Sequence, residues 1–376
     1  MSIKFLDLAA LDREIAGPVA REFDAINATT SYVGGPAVAA FQREFARYLG
    51  VAHVVGVGSG TDALRLALMA LGIGPGDGVI TVPMTFIATA AAIAQCGAMP
   101  EFVDVDPATC NLGPESLRRY LEAGRFRSPN GPRAVVPVDL YGLPCASGQI
   151  AEVARQHKLL VVEDACQAHG AELQTARGWV KAGTLADAAC FSFYPGKNLG
   201  AWGDAGALAT NHERVAAIAA RLGDHGRTSH YGHDAYGYNS RLDTLQAAVL
   251  RAKLDHLDAW NRRRREIAAR YRELLSTTGV RIPEERAGFR SCYHLFTIQS
   301  TRREAIRAAL TNAGIGNGIH YPLPLHLQPA CAALGYRPGD FPVSERIAET
   351  TLSLPMHPHL TDAEIETVAA VVRGAL

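Results

Sequence analysis

Short apolar runs alternate with helical patterns over the first 210 residues of the chain. Segments such as 61–71 and 147–157 repeat their apolar positions at helical spacing. Between such segments lie runs with the length of strands, at 53–57, 78–82, 100–104, 134–138 and 159–163. Continuous apolar runs of this length are typical of parallel strands that are buried on both faces of a sheet. The alternation therefore predicts an α/β fold, with a largely parallel sheet and helices on both of its faces.

The last third of the chain has a different pattern. Apolar positions at helical spacing predict one long helix from about 243 to 275. Shorter elements follow it, with a strand-like run and two helical segments at 293–299, 301–313 and 361–375. We therefore predict a large domain over residues 1–245. Residues 246–376 are expected to form the long connecting helix and a smaller α+β domain.

Charge and composition exclude several classes of partner. Lysine and arginine together number 37, as do aspartate and glutamate, so no overall field favours nucleic acid or an acidic membrane. The run Arg262–Arg265 lies in the predicted long helix, and we interpret it as a solvated helix face. The chain starts MSIKFLDL without an apolar signal region, and no stretch is apolar enough to span a bilayer. We expect a cytoplasmic protein.

The cysteines and histidines form no pattern that would bind a metal. Seven cysteines are scattered without Cys-x-x-Cys spacing. Three histidines in the Gly- and Tyr-rich segment 223–243 are spaced like no ligand set that we recognise. We therefore expect neither a metal site nor a disulfide framework.

Lys197 has an unusual setting in the segment SFYPGKNLGAWGDAGA, residues 192–207. An apolar run at 188–193 ends at Tyr194-Pro195-Gly196, and a second apolar run follows at 206–209. A lysine held between strands by glycines is a candidate covalent amine, provided that burial or a cationic neighbour lowers its pKa. The alternative is a loop lysine that extends into solvent.

Asp164 ends the apolar run of LLVVEDACQAHGA, residues 159–171, and precedes Lys197 by 33 residues. Ligands of open α/β sheets bind outside the carboxyl ends of such strands. Pyridoxal phosphate enzymes use a carboxylate at the ring nitrogen and a lysine that binds the cofactor covalently. Asp164 and Lys197 supply this pair, and the alternative for Asp164 alone is a helix N-cap after the strand.

A glycine-rich turn supplies a candidate phosphate site. Residues 53–72 read as strand, turn and helix, with Gly58-Ser59-Gly60-Thr61 at the turn and Gly72 at the end of the helix. Backbone N–H groups and the positive end of a helix favour an anion at such a turn. A Gly-Ser-Gly turn is weak evidence alone, because any tight connection from strand to helix favours glycine.

Together these motifs resemble the DegT/DnrJ/EryC1/StrS family of sugar aminotransferases, pyridoxal phosphate enzymes of fold type I. The resemblance covers nearly the whole chain. Besides the three segments above, it includes FLDL at 5–8, YVGGPAVAAFQREFARYLG at 32–50, VPMTFIATAAAI at 82–93, FVDVDP at 102–107, GYNSRLDTLQAAVL at 237–250 and HYPLPLHLQPA at 320–330. It implies the fold type I architecture, with a large domain and a smaller C-terminal α+β domain.

The resemblance implies roles for four residues around the cofactor ring. Lys197 forms the covalent bond to pyridoxal 5′-phosphate and moves the proton during transfer. Asp164 pairs with the ring nitrogen, and Gln167 lies near the ring hydroxyl. Phe86 stacks on the ring, although a lone aromatic in TFIATAAAI would more often belong to the core. For His169, close to Gln167, we retain a structural interpretation.

The resemblance also assigns the cofactor phosphate. Gly60 and Thr61 offer N–H and hydroxyl groups, joined by Ser192, and Asn239 reaches the phosphate from the other subunit of a homodimer. In the family, the segment around 223–243 crosses the dimer interface. Asn239 and Arg241 would then serve the neighbouring active site.

The implied reaction is a two-step transamination. Glutamate or glutamine is the implied amino donor, and the acceptor is a keto group of a nucleotide-linked sugar. Gln167 in DACQAHGA resembles members that aminate C3 of a dTDP-linked 3-keto-6-deoxyhexose. Candidate substrate-binding residues are Arg241, His320, Tyr321 and His326.

Other functions within reach of the same motifs stay open at this point. The nucleotide could be dTDP or UDP, and amination could occur at C4 or C2. The acceptor could instead be a cyclitol ketone. A pyridoxal phosphate-binding regulatory protein without turnover is a further alternative, although the chain has neither an appended helix-turn-helix region nor a basic excess.

Overall fold

The computed structural model describes residues 2–376, and strands and helices alternate along most of its length. The strands are β1 (His53–Val57), β2 (Gly78–Thr81), β3 (Met99–Phe102), β4 (Pro132–Val135), β5 (Leu160–Asp164), β6 (Glu172–Thr175), β7 (Gly178–Lys181), β8 (Ala188–Ser192), β9 (Gly206–Thr210), β10 (Phe289–Arg290), β11 (Phe296–Gln299) and β12 (Thr351–Leu354). Each predicted strand of the first 210 residues is present, with its ends shifted by at most a few residues.

The helices occupy the segments between these strands and most of the C-terminal part. They are α1 (Leu8–Thr29), α2 (Gly35–Leu49), α3 (Gly60–Ala70), α4 (Ile87–Gln95), α5 (Pro114–Ala123), α6 (Ser147–Gln156), α7 (Glu213–Gly223), α8 (Thr244–Leu254), α9 (Leu257–Leu275), α10 (Arg303–Asn312), α11 (Pro342–Thr350) and α12 (Asp362–Gly374). No helix within residues 2–376 combines the length and the apolar character that crossing a membrane requires.

A seven-stranded sheet organises the large part of the molecule. Its strands lie in the order β1-β9-β8-β5-β4-β2-β3. Only β9 runs against its neighbours, pairing antiparallel with β1 and with β8, whereas β8, β5, β4, β2 and β3 pair in parallel. The predicted α/β fold with a largely parallel sheet is confirmed. Its parallel strands bring their carboxyl ends to one edge, where ligands of such sheets bind.

Helices cover both faces of this sheet, as the side chains of β8 illustrate. Ala188 and Cys190 belong to a core shared with α3, α4 and α7. Ala189 and Phe191 belong to a second core, which includes Phe41 of α2 and residues of α8. Successive residues of a strand point to opposite faces, so a strand that is apolar throughout requires a core on each side.

A separate core holds the C-terminal elements together. Strands β11 and β12 form an antiparallel pair that packs with α9, α10 and α12. Ile3, near the start of the chain, belongs to this core, and Phe289 of β10 pairs with Leu173 of β6. Residues on each side of the expected division between 1–245 and 246–376 therefore contact elements on the other side. The boundary itself stays a prediction.

The predicted continuous helix from 243 to 275 is wrong, because the structure divides it into α8 and α9. Asp255 and His256 separate them, and the His256 N–H donates to the Lys253 carbonyl at 3.0 Å, which closes a tight turn. Helix α8 packs on α1 and α2, whereas α9 packs on α12. The two halves therefore belong to different cores. Because only two residues separate the helices, the apolar periodicity of the sequence continues almost without interruption across the break.

Arg264 corrects the interpretation of the arginine run as a solvated face. Its side chain is only 2% exposed, and Nη1 donates to the carbonyls of Tyr293 at 3.1 Å and Met356 at 2.9 Å. Burial lowers the pKa of this guanidinium to about 10. Arg262, by contrast, is exposed. One arginine of the run therefore ties α9 to two loops of the small part.

We expect Arg264→Ala to lower the free energy of unfolding by about 2–3 kcal/mol, because two buried carbonyls lose their donor and a cavity replaces the side chain. Arg262→Ala, a matched control on the same helix, should change it by less than about 0.5 kcal/mol. Urea titrations followed by circular dichroism measure both variants. Equal effects at the two positions would contradict the structural role of Arg264.

Candidate active site

A cavity of about 440 Å³ lies at the carboxyl edge of the large sheet. The loops after β1, β2, β4, β5 and β8 supply most of its wall. Nine of the residues predicted from the sequence line it: Gly60, Thr61, Phe86, Asp164, Gln167, Ser192, Lys197, His320 and Tyr321. The fold thus gathers into one space side chains that are up to 261 residues apart in the chain (60 to 321).

Lys197 lies in the turn after β8, where its backbone N–H donates to the Tyr194 carbonyl at 2.8 Å. Within residues 2–376 its amine has no hydrogen-bond or ion-pair partner. Burial lowers the pKa of the Lys197 ammonium, and the nearby Cys166 and Asp164 oppose part of that shift. Desolvation without a paired carboxylate favours the neutral amine, which is the nucleophilic form.

Asp164 is the last residue of β5 and is almost fully buried at the cavity wall. Its Oδ2 accepts a hydrogen bond from Thr89 Oγ1 at 2.7 Å, and its Oδ1 accepts one from the Cys166 N–H at 3.3 Å. Hydrogen bonds to a carboxylate favour its charged form. The site therefore places a supported carboxylate and an unpaired amine on the same cavity.

The turn between β1 and α3 forms an anion cradle. Ser59 caps the helix, since its Oγ accepts from the Asp62 N–H at 3.1 Å and its carbonyl accepts from the Ala63 N–H at 3.0 Å. The N–H groups of Gly60 and Thr61 then have no partner among residues 2–376. These free donors and the positive end of the helix can bind a phosphate.

Close packing explains why Gly60 has no side chain. A Cβ at this position would lie 2.6 Å from Ser192 Cβ and 2.9 Å from Cys166 Sγ. The absence of this carbon lets the start of α3 approach the end of β8, so that Ser192 and the helix N-terminus face the same part of the cavity.

Gln167 connects the loop after β5 to the aromatic mouth of the cavity. Its Oε1 accepts from the Tyr141 N–H at 2.7 Å, and its Nε2 donates to the Tyr321 hydroxyl at 3.2 Å. The Tyr321 ring lies 5.7 Å from that of Phe86, tilted by 36°. Phe86 remains 52% exposed at the cavity, so that one of its faces can pack on a planar ligand.

Two histidines of the wall are held neutral. His320 stacks on Phe5, with ring centres 5.9 Å apart, and its Nδ1 lies 2.9 Å from Ser353 Oγ. Burial and the nearby Lys197 lower the pKa of His320 to about 4. The same causes hold the pKa of His294 well below its usual value. At neutral pH both rings therefore present hydrogen-bonding groups without charge.

His326 does not line the cavity, which corrects its assignment as a substrate-binding residue. Its side chain is buried, with Nε2 2.9 Å from Glu345 Oε1 and its ring 4.8 Å from that of Phe341. A 3₁₀ turn over Leu325–Leu327 directs this part of the segment away from His320 and Tyr321. Only four residues, 322–325, therefore separate Tyr321 in the cavity wall from His326 in the protein interior.

Asn239 and Arg241 also lie outside the cavity of their own subunit. Asn239 is exposed and bridges to Asp224 through the backbone. Arg241 Nη1 donates to Asp224 Oδ1 at 2.8 Å. His169, which we interpreted as structural, is fully buried with its ring 5.7 Å from those of both Phe191 and Phe193.

Sequence reasoning missed several residues of the wall. Thr89 is one helical turn after Phe86, so its spacing could have indicated that both face the same ligand. Phe5 belongs to the FLDL motif but was given no role, and His294 carried no signal. Only tertiary packing brings these two residues to the cavity that contains Lys197. Cys166, one of the seven scattered cysteines, is half-buried at the wall.

The donor set fits pyridoxal 5′-phosphate. An anion cradle at a helix N-terminus suits its phosphate, an aromatic face suits its ring, and a buried carboxylate suits a protonated ring nitrogen. The unpaired amine of Lys197 supplies the group that such enzymes attach to the cofactor. On this fold the combination defines the class of pyridoxal phosphate enzymes of fold type I.

The chain belongs to the DegT/DnrJ/EryC1/StrS aminotransferase family, whose model matches residues 15–373. It is therefore a pyridoxal phosphate-dependent aminotransferase, as the motifs predicted. The UDP-N-acetyl-3-dehydro-α-D-glucosamine 3-aminotransferase of Acidithiobacillus ferrooxidans is 41% identical over 100% of this chain and 98% of its own length. The dTDP-3-amino-3,4,6-trideoxy-α-D-glucose transaminase of Streptomyces venezuelae is 40% identical over 99% of this chain and 95% of its own length.

A solved structure supports the same fold. The crystal structure of S. venezuelae DesV in complex with a ketimine intermediate matches with a TM-score of 0.94 and 39% identity. The match covers 99% of this chain and 98% of that chain.

We expect Gly60→Ala to raise the dissociation constant for pyridoxal phosphate by about tenfold or more, because a Cβ would displace the helix start from Ser192. Gly74→Ala is a matched control, since the atom nearest to its added Cβ is the Cys96 carbonyl oxygen at 3.9 Å. Titration of the apoprotein with the cofactor measures both constants. Parental affinity in a folded Gly60→Ala protein would contradict the cradle.

Proposed function

We propose that the protein transfers an amino group from glutamate or glutamine to a keto group of a nucleotide-linked sugar. The acceptor carbon we propose is C3, in a dTDP-linked 3-keto-6-deoxyhexose. The observation that carries the proposal is the single cavity in which an unpaired lysine amine, a buried carboxylate and a free helix N-terminus meet. The relatives supply the class of acceptor.

Pyridoxal phosphate, when bound, supplies the electron sink that makes the α-proton of the donor removable. We assign the removal of that proton to Lys197 Nζ, which must be neutral to accept it. Burial without a paired carboxylate favours that neutral form. Asp164 would keep the ring nitrogen protonated, and the contacts of its two oxygens with Thr89 and Cys166 hold it in place for this.

The remaining cavity residues would bind and orient the cofactor. Gly60, Thr61 and Ser192 would donate to the phosphate, and Phe86 would pack on the ring. Gln167 would lie near the ring hydroxyl while its Nε2 also holds Tyr321. By holding the phosphate, the ring face and the ring nitrogen, these residues would orient the cofactor relative to Lys197, which lines the same cavity and would favour the proton transfer by proximity.

Two relatives favour C3 as the site of amination. The names of both the A. ferrooxidans and the S. venezuelae enzymes specify a 3-amino product or a 3-amination, but one carries UDP and the other dTDP. The carbon is therefore the better supported part of the proposal. We favour dTDP because Gln167 stands in a motif that resembles the dTDP-sugar members. His320 and Tyr321 at the cavity mouth are the proposed contacts of the sugar nucleotide.

The active sites are proposed to be shared between the subunits of a homodimer. Asn239 and Arg241 lie outside the cavity of their own subunit, and the loop that carries them exposes Tyr231 and Tyr236 almost completely. Large exposed aromatics of this kind are typical of interface residues. We propose that Asn239 reaches the phosphate, and Arg241 the sugar nucleotide, of the neighbouring subunit.

Spectroscopy tests the reaction and its substrates. The parent protein with pyridoxal phosphate should show the visible band of the lysine-bound cofactor, lose it with glutamate or glutamine, and regain it with the right keto sugar. A panel of dTDP- and UDP-linked 3-keto and 4-keto sugars and a cyclitol ketone identifies the acceptor. Recovery with the cyclitol alone would overturn the sugar-nucleotide proposal.

In the same assay we expect Lys197→Ala to lack the band and turnover while still binding the cofactor. Lys158→Ala, which removes an exposed lysine, should behave like the parent. Retained turnover in Lys197→Ala would contradict the assignment of the proton transfer.

Subunit complementation tests the shared site. Asn239→Ala and Lys197→Ala homodimers should each be impaired, whereas mixed dimers should recover about a quarter to a half of the parental activity, because one of their two sites keeps both residues. In the control experiment, His230→Ala replaces Asn239→Ala, because His230 is an exposed residue of the same loop. Absence of recovery would indicate that each subunit is complete by itself.

A further inference from the structure

Two buried threonines lead to the carboxylate of Asp164. Thr89 Oγ1 is 2.7 Å from Asp164 Oδ2, and Thr85 Oγ1 is 3.1 Å from Thr89 Oγ1. Both threonines are at most 2% exposed, and both line the cavity. Thr89 lies in the first turn of α4 and Thr85 lies just before that helix, while Asp164 ends β5.

The chemistry of the groups sets the direction of this chain. An ionised carboxylate can only accept, so the Thr89 hydroxyl must donate its one proton to Asp164. Thr89 Oγ1 can then only accept from Thr85, whose hydroxyl is the donor at 3.1 Å. Each donor polarises the next, which strengthens the bond at the carboxylate.

This use of a helical threonine is not the usual one. Threonine hydroxyls in helices commonly donate to a carbonyl one turn earlier in the same helix, as Thr367 does to Ala363 at 2.8 Å. Thr89 instead donates across 75 residues of sequence to a different element. The hydroxyl of Thr89 therefore does not serve as a donor to a carbonyl of its own helix.

The backbone of Asp164 is already fixed without the threonines. Its N–H donates to the Pro137 carbonyl at 2.9 Å, and its carbonyl accepts from the Asp139 N–H at 3.1 Å. Only the carboxyl group retains rotational freedom. Thr89 holds Oδ2 and the Cys166 N–H approaches Oδ1, which leaves the other lone pairs for a cation in the cavity.

We infer that Thr89, supported by Thr85, is a positioning residue that keeps the carboxylate of Asp164 oriented for the ring nitrogen of the cofactor. The inference rests on the proposed role of Asp164. Removing the Thr89 hydroxyl leaves a buried carboxylate with one fewer donor, which allows the carboxyl group to rotate away from the ring nitrogen. The consequence is a weaker contact with a protonated ring nitrogen, with little change at the phosphate.

A cofactor analogue isolates this contact. In 1-deaza-pyridoxal phosphate a CH group replaces the ring nitrogen, so it keeps the phosphate and aldehyde but cannot pair with Asp164. The ratio of dissociation constants, analogue over pyridoxal phosphate, measures the contact in each apoprotein. We expect the parent to favour pyridoxal phosphate by tenfold or more, and Thr89→Val to lose about tenfold of that preference.

Three further variants refine the measurement. Thr89→Ser keeps the hydroxyl and should retain most of the preference, whereas Thr85→Val removes only the second donor and should lose about two- to threefold. Thr81→Val is the matched control, because Thr81 is fully buried and donates to the Val136 carbonyl at 2.8 Å but lies outside the cavity wall. It should keep the parental ratio.

The outcomes separate the two levels of the inference. A parent that binds both cofactors equally would overturn the role of Asp164 at the ring nitrogen. A parental preference that persists unchanged in folded Thr89→Val would overturn the positioning role alone. Urea unfolding of each apoprotein establishes folding, and if Thr89→Val does not fold, Thr85→Val decides: a ratio equal to the parental one would count against the chain.

Discussion

The burial of parallel strands on both faces of one sheet is the constraint on which the rest of this structure depends. Because both faces are covered, polar side chains can approach a ligand only where the strands end. Asp164 and Ser192 are the last residues of neighbouring strands, and Lys197 follows the second of them by five residues. The pairing of β5 with β8 brings these side chains together, although β6 and β7, which lie between the two strands in the sequence, form a separate antiparallel ribbon.

The two ionisable groups of the site, Lys197 and Asp164, differ in whether they have hydrogen-bond partners. The amine of Lys197 is desolvated and left without a partner, which lowers its pKa. The carboxylate of Asp164, a short way along the same wall, receives two hydrogen bonds, one of them from a buried threonine. The difference in hydrogen-bond donors therefore separates an amine that can take up a proton from a carboxylate that can hold a cation.

Much of the site could be predicted because its motifs are local. The turn at Ser59–Gly60, the end of β5 at Asp164 and the loop at Lys197 each carry their chemistry within a few residues. His326 was misplaced and Arg264 misread for the opposite reason. Each stands in a segment whose local pattern is uniform, a stiff proline-rich loop or a polar helix face, yet contacts with Glu345 or with the Tyr293 and Met356 carbonyls bury it.

The sequence by itself determined the apolar strands of the large sheet and the residue types that can bind pyridoxal phosphate, because apolar periodicity and turn chemistry act over short stretches of chain. The short strands β6, β7, β10 and β12 carried no such pattern. Only the tertiary structure decided that the predicted long helix divides at Asp255–His256, that Thr89 supports Asp164, and that Phe5 and His294 reach the wall around Lys197. The contacts of Thr89, Phe5 and His294 join segments that are 75 or more residues apart, and the break in the helix depends on which core each half packs against. Side-chain volume and hydrogen-bond geometry in the folded chain decide such contacts, and a local sequence pattern does not contain them.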